Sequence, residues 1–432
     1  MLKLKENAFV HISNEQKSAV LFDTFNRKIY SIPLDIAKNL LNGTLTDRDI
    51  SIINSHLSDL HYSDGIHQYS NSIHSLRFIV TNKCNFNCDY CFAHQGSYGI
   101  KPHNMSIEVV KRTIDYFFTR YKQIKAIDFF GGEPLLAFDV IQYACEYTQQ
   151  NYPERQLSYS IVTNASLLND EISDFFRKYK VAIVASIDGP KDLNDLHRKY
   201  LNNKGSFETV DANIRNFTSG LNLTIEATYT SAHEKVISKN DLYRYISTRY
   251  GVSRVMIADA TIADKDKEKL GQIEPTIPSN LKQIREFFES EEPIYSDEIV
   301  SLIHTFISGN ESKYFCGAGY NKFTIDMDGN VYPCHLFIER PDSILFNLMD
   351  SQQTPIQLVD KTSYKCSRCM YKVFCRACII ELTKNDELCH INQACIDYFL
   401  HAMLDLYITN RPKFDQLMKG CLNHVTKNKL TK

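Results

Sequence analysis

No apolar run in this chain approaches the about 18 residues that a membrane span needs, and its formal net charge is only −2. Nor is any stretch dominated by glycine, proline or serine. Each lack closes off a class of function. The first argues against an integral membrane protein, and the second removes any global reason to expect nucleic acid or an anionic membrane surface as a partner. The third, together with 43% hydrophobic and 23% charged residues, reads as a chain that is globular throughout. The opening segment, Met1 to Val10, carries neither the apolar stretch nor the small-residue cleavage site of a secretion signal. A cytoplasmic protein is therefore expected, and the basic residues Lys427, Lys429 and Lys432 read as a solvated end rather than a binding arm.

What the chain does have is cysteine, at thirteen positions. In a reducing compartment disulfides are not expected, and an odd count cannot pair completely in any case. Metal ligation by thiolate becomes the leading explanation. The distribution supports it, because eleven of the thirteen lie in two groups, at 84 to 91 and 316 to 395. Cys145 and Cys421 stand alone and read as small buried apolar residues.

At 432 residues the chain is long for one core, and about 100 to 200 residues per domain implies two to four units. Three are read. Residues 1–70 show short β-rich stretches followed by helical patterns, with Gly43 placed to stop the first helix, and form a small β-plus-helix module. Residues 75–290 alternate strands with amphipathic helices, and Ser106 is placed to cap the first of these helices. The strand candidates are 75–81, 125–131, 157–163, 181–187, 222–230 and 253–259, read as continuously apolar, as parallel strands covered on both faces would be. Six β-α units in succession predict an α/β fold, a partial (β/α)6 TIM-like barrel with its chemistry at the C-terminal strand ends. Residues 310–432 form the third, cysteine-rich domain.

Directly after the first of these strands stands TNKCNFNCDYCFAHQGSYG, with Cys84, Cys88 and Cys91 in a CxxxCxxC arrangement. A cubic 4Fe-4S cluster takes a thiolate on each iron, and closely spaced loop cysteines supply three without strain. One iron is then left open. It can chelate the amino and carboxylate groups of S-adenosylmethionine, and an electron from the cluster can cleave the C–S bond to a 5'-deoxyadenosyl radical. Zinc is the competing reading, but a structural zinc wants four protein ligands and no fourth stands nearby. Phe92, one residue past the last cysteine, is either ordinary core or a shield for the cluster or the adenine.

These residues resemble those of the radical SAM superfamily, and the likeness runs on along the strand ends. Gly131, Gly132, Glu133 and Pro134 look like the family's GGE motif, which implies that this backbone and Glu133 hold the cosubstrate's amino group. Asn164 after the third strand, and Ser186, Asp188 and Gly189 in the SIDGP turn after the fourth, are similar to the family's ribose and carboxylate contacts. Arg198 resembles an arginine that pairs with the cosubstrate carboxylate, a role suited to a planar fork of donors. Taken singly, each polar residue reads as a cap or a surface group, and the glycine pair as a turn. The resemblance implies S-adenosylmethionine as cosubstrate and an external low-potential electron donor such as flavodoxin or ferredoxin.

The second cysteine group comprises Cys316, Cys334, Cys366, Cys369, Cys375, Cys378, Cys389 and Cys395. Its two CxxC pairs are a strong metal signal, with a zinc ribbon as the competing account. The layout resembles the SPASM extension of radical SAM enzymes, except that Cys378 follows Cys375 after two residues instead of three. The resemblance implies one auxiliary cluster on Cys316, Cys334 and Cys378 and another on Cys366, Cys369, Cys375 and Cys395, so three [4Fe-4S] clusters in all. Cys389 is left as a fourth ligand of the first auxiliary cluster, a substitute for Cys395, or a plain thiol.

SPASM enzymes mostly modify peptides or proteins. The stretch CDYCFAHQGSYG is similar to one in six-cysteine, or ranthipeptide-type, maturases that form sulfur-to-carbon thioether links in ribosomal peptides. Residues 1–70 resemble the winged-helix-like element by which such enzymes pair an edge strand with a precursor leader. A capping or oligomerisation domain is the other reading of this module. The resemblance thus implies a radical SAM oxidoreductase acting on a precursor peptide with a leader. Three alternatives stand beside it. One is a formylglycine-type sulfatase maturase, disfavoured by His335 where those relatives place an Asp base. The others are a carbon-to-carbon cross-linking maturase and a non-catalytic iron–sulfur or zinc scaffold.

Overall fold

A computed structural model of the chain describes residues 8–13, 17–24, 28–57, 73–260, 279–308, 316–350, 366, 369–375, 378 and 386–430. They form two compact units, each drawn from separated parts of the sequence. One takes its described residues from 8–57, 280–316 and 366–430, the other from 73–260, 279 and 317–350.

The first unit opens with β1 (Ala8–Ile12), β2 (Ala19–Asp23) and β3 (Lys28–Ile32), an antiparallel meander in which Val10 faces Leu21 and Leu21 faces Tyr30. β2 is buried along its whole length because both its faces are covered. Ala19 and Leu21 share a small core with Val10, Ile32 and Ala37, while Val20 and Phe22 enter a larger one. α1 (Leu34–Asn42) stops at Gly43, whose φ of 70° is left-handed, as the sequence predicts. α2 (Asp47–Leu57) follows.

The second unit alternates strands and helices: β4 (Ser75–Thr81), α3 (Ile107–Arg120), β5 (Ala126–Gly131), α4 (Phe138–Asn151), β6 (Ser158–Thr163), α5 (Asp170–Tyr179), β7 (Val181–Ser186), α6 (Lys191–His197), α7 (Phe207–Phe217), β8 (Leu223–Tyr229), α8 (Ser231–Glu234), α9 (Lys239–Tyr250) and β9 (Val255–Asp259). β4 to β9 pair in parallel, each with the next, so the predicted α/β fold with a parallel sheet is present. Ser106 caps α3 as expected, its hydroxyl accepting from the Val109 amide at 3.2 Å. The strands differ from expectation in not being apolar on both faces. Ile127, Phe129, Ile161, Ile183, Ala185, Ile225 and Ala227 are wholly buried in one core with helix residues such as Ile114 and Phe176. The alternate positions, including Arg77, Asp128, Ser160, Ser186 and Glu226, lie on the other face of the sheet and are only half-buried.

After β9 the chain supplies α10 (Ser279–Glu289) and α11 (Asp297–Ser308) to the first unit, then returns. β10 (Lys322–Ile325) pairs in parallel with β4, and β11 (Asn330–Tyr332) and β12 (Phe346–Asn347) add antiparallel strands. The resulting sheet has nine strands in the order β12-β11-β10-β4-β5-β6-β7-β8-β9. Residues 310–432 are therefore divided between the two units. α12 (Asp386–Thr409) and α13 (Arg411–Leu430) complete the first unit's core, where Phe22 stacks on Phe306 at 4.7 Å and Phe399 and Met403 are wholly buried. Cys145 and Cys421 are buried, as read from the sequence. Among the described residues no helix is long and apolar enough to cross a membrane.

Candidate functional site

The cysteine loop leaves the C-terminal end of β4 and is clamped against the end of β5. The Gly132 amide donates to the Thr81 carbonyl at 3.0 Å and the Glu133 amide to the Lys83 carbonyl at 2.8 Å. A Cβ on Gly131 would stand 2.2 Å from the Thr81 oxygen, and one on Gly132 2.2 Å from the Lys83 oxygen. Only glycine admits this approach. From the far side Gly96, with φ +88°, brings its own Cα so close that a Cβ would lie 2.6 Å from Gly132 Cα and 2.9 Å from Cys84 Cβ.

Glu133 is buried, and three donors of the chain meet its carboxylate: the Leu135 amide at 3.0 Å, the Thr163 hydroxyl at 2.7 Å and the Asn164 amide at 2.7 Å. Burial pushes its pKa up against the pull of these bonds. The residue thus ties the end of β5 to the end of β6. Asn164 in turn donates to the Asn85 side chain of the cysteine loop at 2.9 Å. Asp188, wholly buried after β7, accepts from the Tyr90 hydroxyl at 2.5 Å and the Thr228 amide at 3.0 Å. Arg198 donates to the Tyr90 hydroxyl at 2.8 Å and lies 3.7 Å from the Asp188 carboxylate, while its buried Nε has no partner among the described residues. Ser186 stands beside Glu226 in the sheet register. Phe92 packs on Tyr98 and His335, with ring centroids 6.3 and 5.4 Å away.

Tyr90, Arg77 and Glu226 were not singled out from the sequence. Tyr90 lies inside the cysteine motif, where an aromatic between two candidate ligands was the available signal, and Phe92 drew attention instead. Arg77 covers the Phe130 ring at 4.7 Å and donates to His335 Nδ1 at 2.9 Å. Asp128 accepts from Lys322 and Ser160; burial alone would raise its pKa, but Lys322 and Arg77 hold it low. Burial pushes the Glu226 carboxyl up, and its main-chain carbonyl accepts from the Ile187 amide at 3.0 Å. Charged residues at alternate strand positions were the overlooked pattern.

Burial pushes the Cys84 and Cys88 thiols up to about 12, so a metal there must replace bound protons. Three half-buried thiols on one short loop, walled by glycine backbone, are a donor set that fits an iron–sulfur cluster. In the other group Cys316 is exposed, Cys334, Cys366, Cys369, Cys375, Cys378 and Cys389 are half-buried, and Cys395 is buried. The Gln393 amide nitrogen lies 3.8 Å from Cys369 Sγ and 3.5 Å from Cys389 Sγ. Cys334 belongs to the parallel-sheet unit and the other seven to the first unit.

Residues 78–227 match the family model of the Radical SAM superfamily. Over 206 residues, 43% of this chain, the sequence is 29% identical to the radical SAM cyclopropyl synthase TigE of Paramaledivibacter caminithermalis, of which the match spans 41%. Over 338 residues, 69% of this chain and 85% of that protein, it is 26% identical to a cysteine-type anaerobic sulfatase-maturating enzyme of Clostridium novyi. The chain spans about two fifths of the length of the first curated relatives it matches. In fold it is similar to native anSMEcpe with bound AdoMet and Cp18Cys peptide, with a TM-score of 0.57 over 81% of this chain and 99% of that chain at 20% identity. The cysteine loop, its glycine clamp and Asp188 and Arg198 all fall inside residues 78–227, the part of the chain that matches the radical SAM superfamily.

Proposed function

We propose that the chain modifies a ribosomally made precursor peptide, holding a [4Fe-4S] cluster on Cys84, Cys88 and Cys91 and forming thioether links from cysteine sulfur to carbon. The observation that carries the reading is the clamp of Gly131 and Gly132 on the cysteine loop, with Asp188, Tyr90 and Arg198 beside it. When bound, the cluster and S-adenosylmethionine supply a 5'-deoxyadenosyl radical, which takes a hydrogen atom from carbon. The chain's own residues orient the cosubstrate. Backbone of Gly131 to Glu133 meets its amino group, the guanidinium of Arg198 takes its carboxylate, and Asn164 and Ser186 meet its ribose. Phe92 shields the cluster edge.

In the same proposal residues 1–70 grip the leader by strand addition. Residues 75–290 form the partial barrel, and residues 310–432 form a SPASM domain with two auxiliary clusters on Cys316, Cys334 and Cys378 and on Cys366, Cys369, Cys375 and Cys395. The reductant is an external flavodoxin or ferredoxin, and the enzyme works in the cytoplasm. The match to 85% of a sulfatase-maturating enzyme favours formylglycine-type chemistry as a second reading.

The test is anaerobic iron quantitation after reconstitution, comparing wild type with a variant in which Cys84, Cys88 and Cys91 are all changed to Ala. About twelve irons per chain falling by about four, with 5'-deoxyadenosine formation lost, supports the reading. A cysteine-bearing peptide made lighter by two hydrogens selects thioether chemistry over formylglycine. Zinc in place of iron, or no deoxyadenosine from a loaded wild type, overturns it.

A further inference from the structure

Asp89 and Tyr90 are neighbours in the cysteine loop, and two neighbours hold them. Arg198 donates to the Tyr90 hydroxyl at 2.8 Å, and His197 Nδ1 lies 2.9 and 3.0 Å from the two carboxylate oxygens of Asp89. Behind His197 the chain of contacts continues. Its Nε2 is 3.1 Å from the Thr230 hydroxyl, that hydroxyl is 2.9 Å from His233 Nδ1, and His233 Nε2 is 2.9 Å from the main-chain carbonyl of Asp188. Both imidazoles are buried. The line thus begins on the cysteine loop and ends on the residue whose carboxylate receives Tyr90.

Counting protons sets the direction of the bonds at both ends of the line. A carbonyl only accepts, so His233 carries its hydrogen on Nε2 and accepts at Nδ1. Burial pushes its pKa down, which keeps that imidazole neutral. The Thr230 main-chain N–H donates to His233 Nδ1 at 3.2 Å, and the Thr230 hydroxyl stands between His233 Nδ1 at 2.9 Å and His197 Nε2 at 3.1 Å. The Asp89 carboxylate only accepts, so His197 donates to it from Nδ1.

We infer that His197, Thr230 and His233 are positioning residues for the cosubstrate: they lock the Asp89–Tyr90 step of the cysteine loop in register with Asp188 and Arg198. The inference rests on the radical SAM reading. None of the three is a cysteine or a cosubstrate contact in that reading, and their hold on the loop passes through Asp89. Breaking the line therefore leaves the thiols to bind iron and loosens the groups that must be in place before the cosubstrate arrives, a loss of preorganisation rather than of cluster.

The test uses the full-length reconstituted enzyme and S-adenosylmethionine itself. Thr230→Val keeps the shape and removes the hydroxyl. It is expected to raise the KM for S-adenosylmethionine about tenfold with kcat within about twofold, at unchanged iron content, and Thr230→Ser restores the wild-type KM. The change that S-adenosylmethionine produces in the electron paramagnetic resonance spectrum of the reduced enzyme should need correspondingly more of it. His197→Asn, whose amide reaches toward Asp89 alone, is the second probe should Thr230→Val fold poorly. Unchanged KM in these variants, or iron lost in step with activity in both, overturns the proposal. A wild type that forms no deoxyadenosine sinks the radical SAM reading instead, and this one with it.

Discussion

The two units are held together by different means. In the parallel-sheet unit, buried carboxylates are met by matched partners: Glu133 by three donors, Asp188 by Tyr90 and Thr228, and Asp211 by Arg249, Arg215 and Tyr250. In the unit built on β1 to β3 and the late helices, the largest described core is made of side chains such as Phe22, Phe287, Ile303, Phe399 and Met403. Directional bonds fix the orientation of groups, whereas apolar packing fixes volume. The cysteine loop after β4 is held by such bonds, from the Gly132 and Glu133 amides to the Thr81 and Lys83 carbonyls.

The comparison can be broken from either side. Phe399→Ala empties a wholly buried position and should cost about 3–5 kcal/mol of stability. Denaturant unfolding reads that loss, and an unchanged KM for S-adenosylmethionine would show that the packing unit leaves the clamped site alone. Gly132→Ala forces a Cβ onto the Lys83 carbonyl and should lower deoxyadenosine formation about 100-fold, measured anaerobically against wild type. Activity within a few-fold of wild type would mean that the clamp yields.

Asp211→Asn removes the charge that Arg249 meets at 2.6 and 2.8 Å and should cost about 1.5–3 kcal/mol at neutral pH. Burial alone would raise the pKa of Asp211, but hydrogen bonds from Arg249 and Tyr250 hold it below the ordinary carboxylate value. A depressed folded-state pKa gives stability that is present above the unfolded value and lost as pH falls through the folded one. The gap between wild type and Asp211→Asn should therefore narrow in acid, followed by thermal melting across pH. At the small end, Arg112→Ala breaks an exposed pair with Glu108 and should shift stability by less than about 0.5 kcal/mol. A larger shift would show that surface charge matters more in this unit than its buried network implies.

Much of the parallel sheet was legible in the sequence because its signals are local. β4 to β9 fall within two residues of their predicted positions, and the CxxxCxxC loop and the glycine pair announce themselves by spacing. The rest depends on contacts between distant residues. Asp89 and His197 are 108 residues apart, and nothing in either neighbourhood says that they meet. Arg77 and Asp128, paired in the register on one face of the sheet, are passed over when the strands are read as continuously apolar. The division of residues 310–432 was hidden because β10 is only four residues long and its partner, β4, lies far back in the chain.

That late pairing sets a timetable for biosynthesis. β4 is flanked by β5 almost as soon as both are made, but its other edge waits for β10, about 250 residues later. At roughly 5–20 residues per second of synthesis, the edge stays open for on the order of ten seconds or more. Through that interval the nascent chain presents unpaired backbone groups along a largely apolar strand, a template for the wrong partner. Its yield in a cell should thus depend on how fast the ribosome reaches Ile325 and on chaperones that cover the gap until it does.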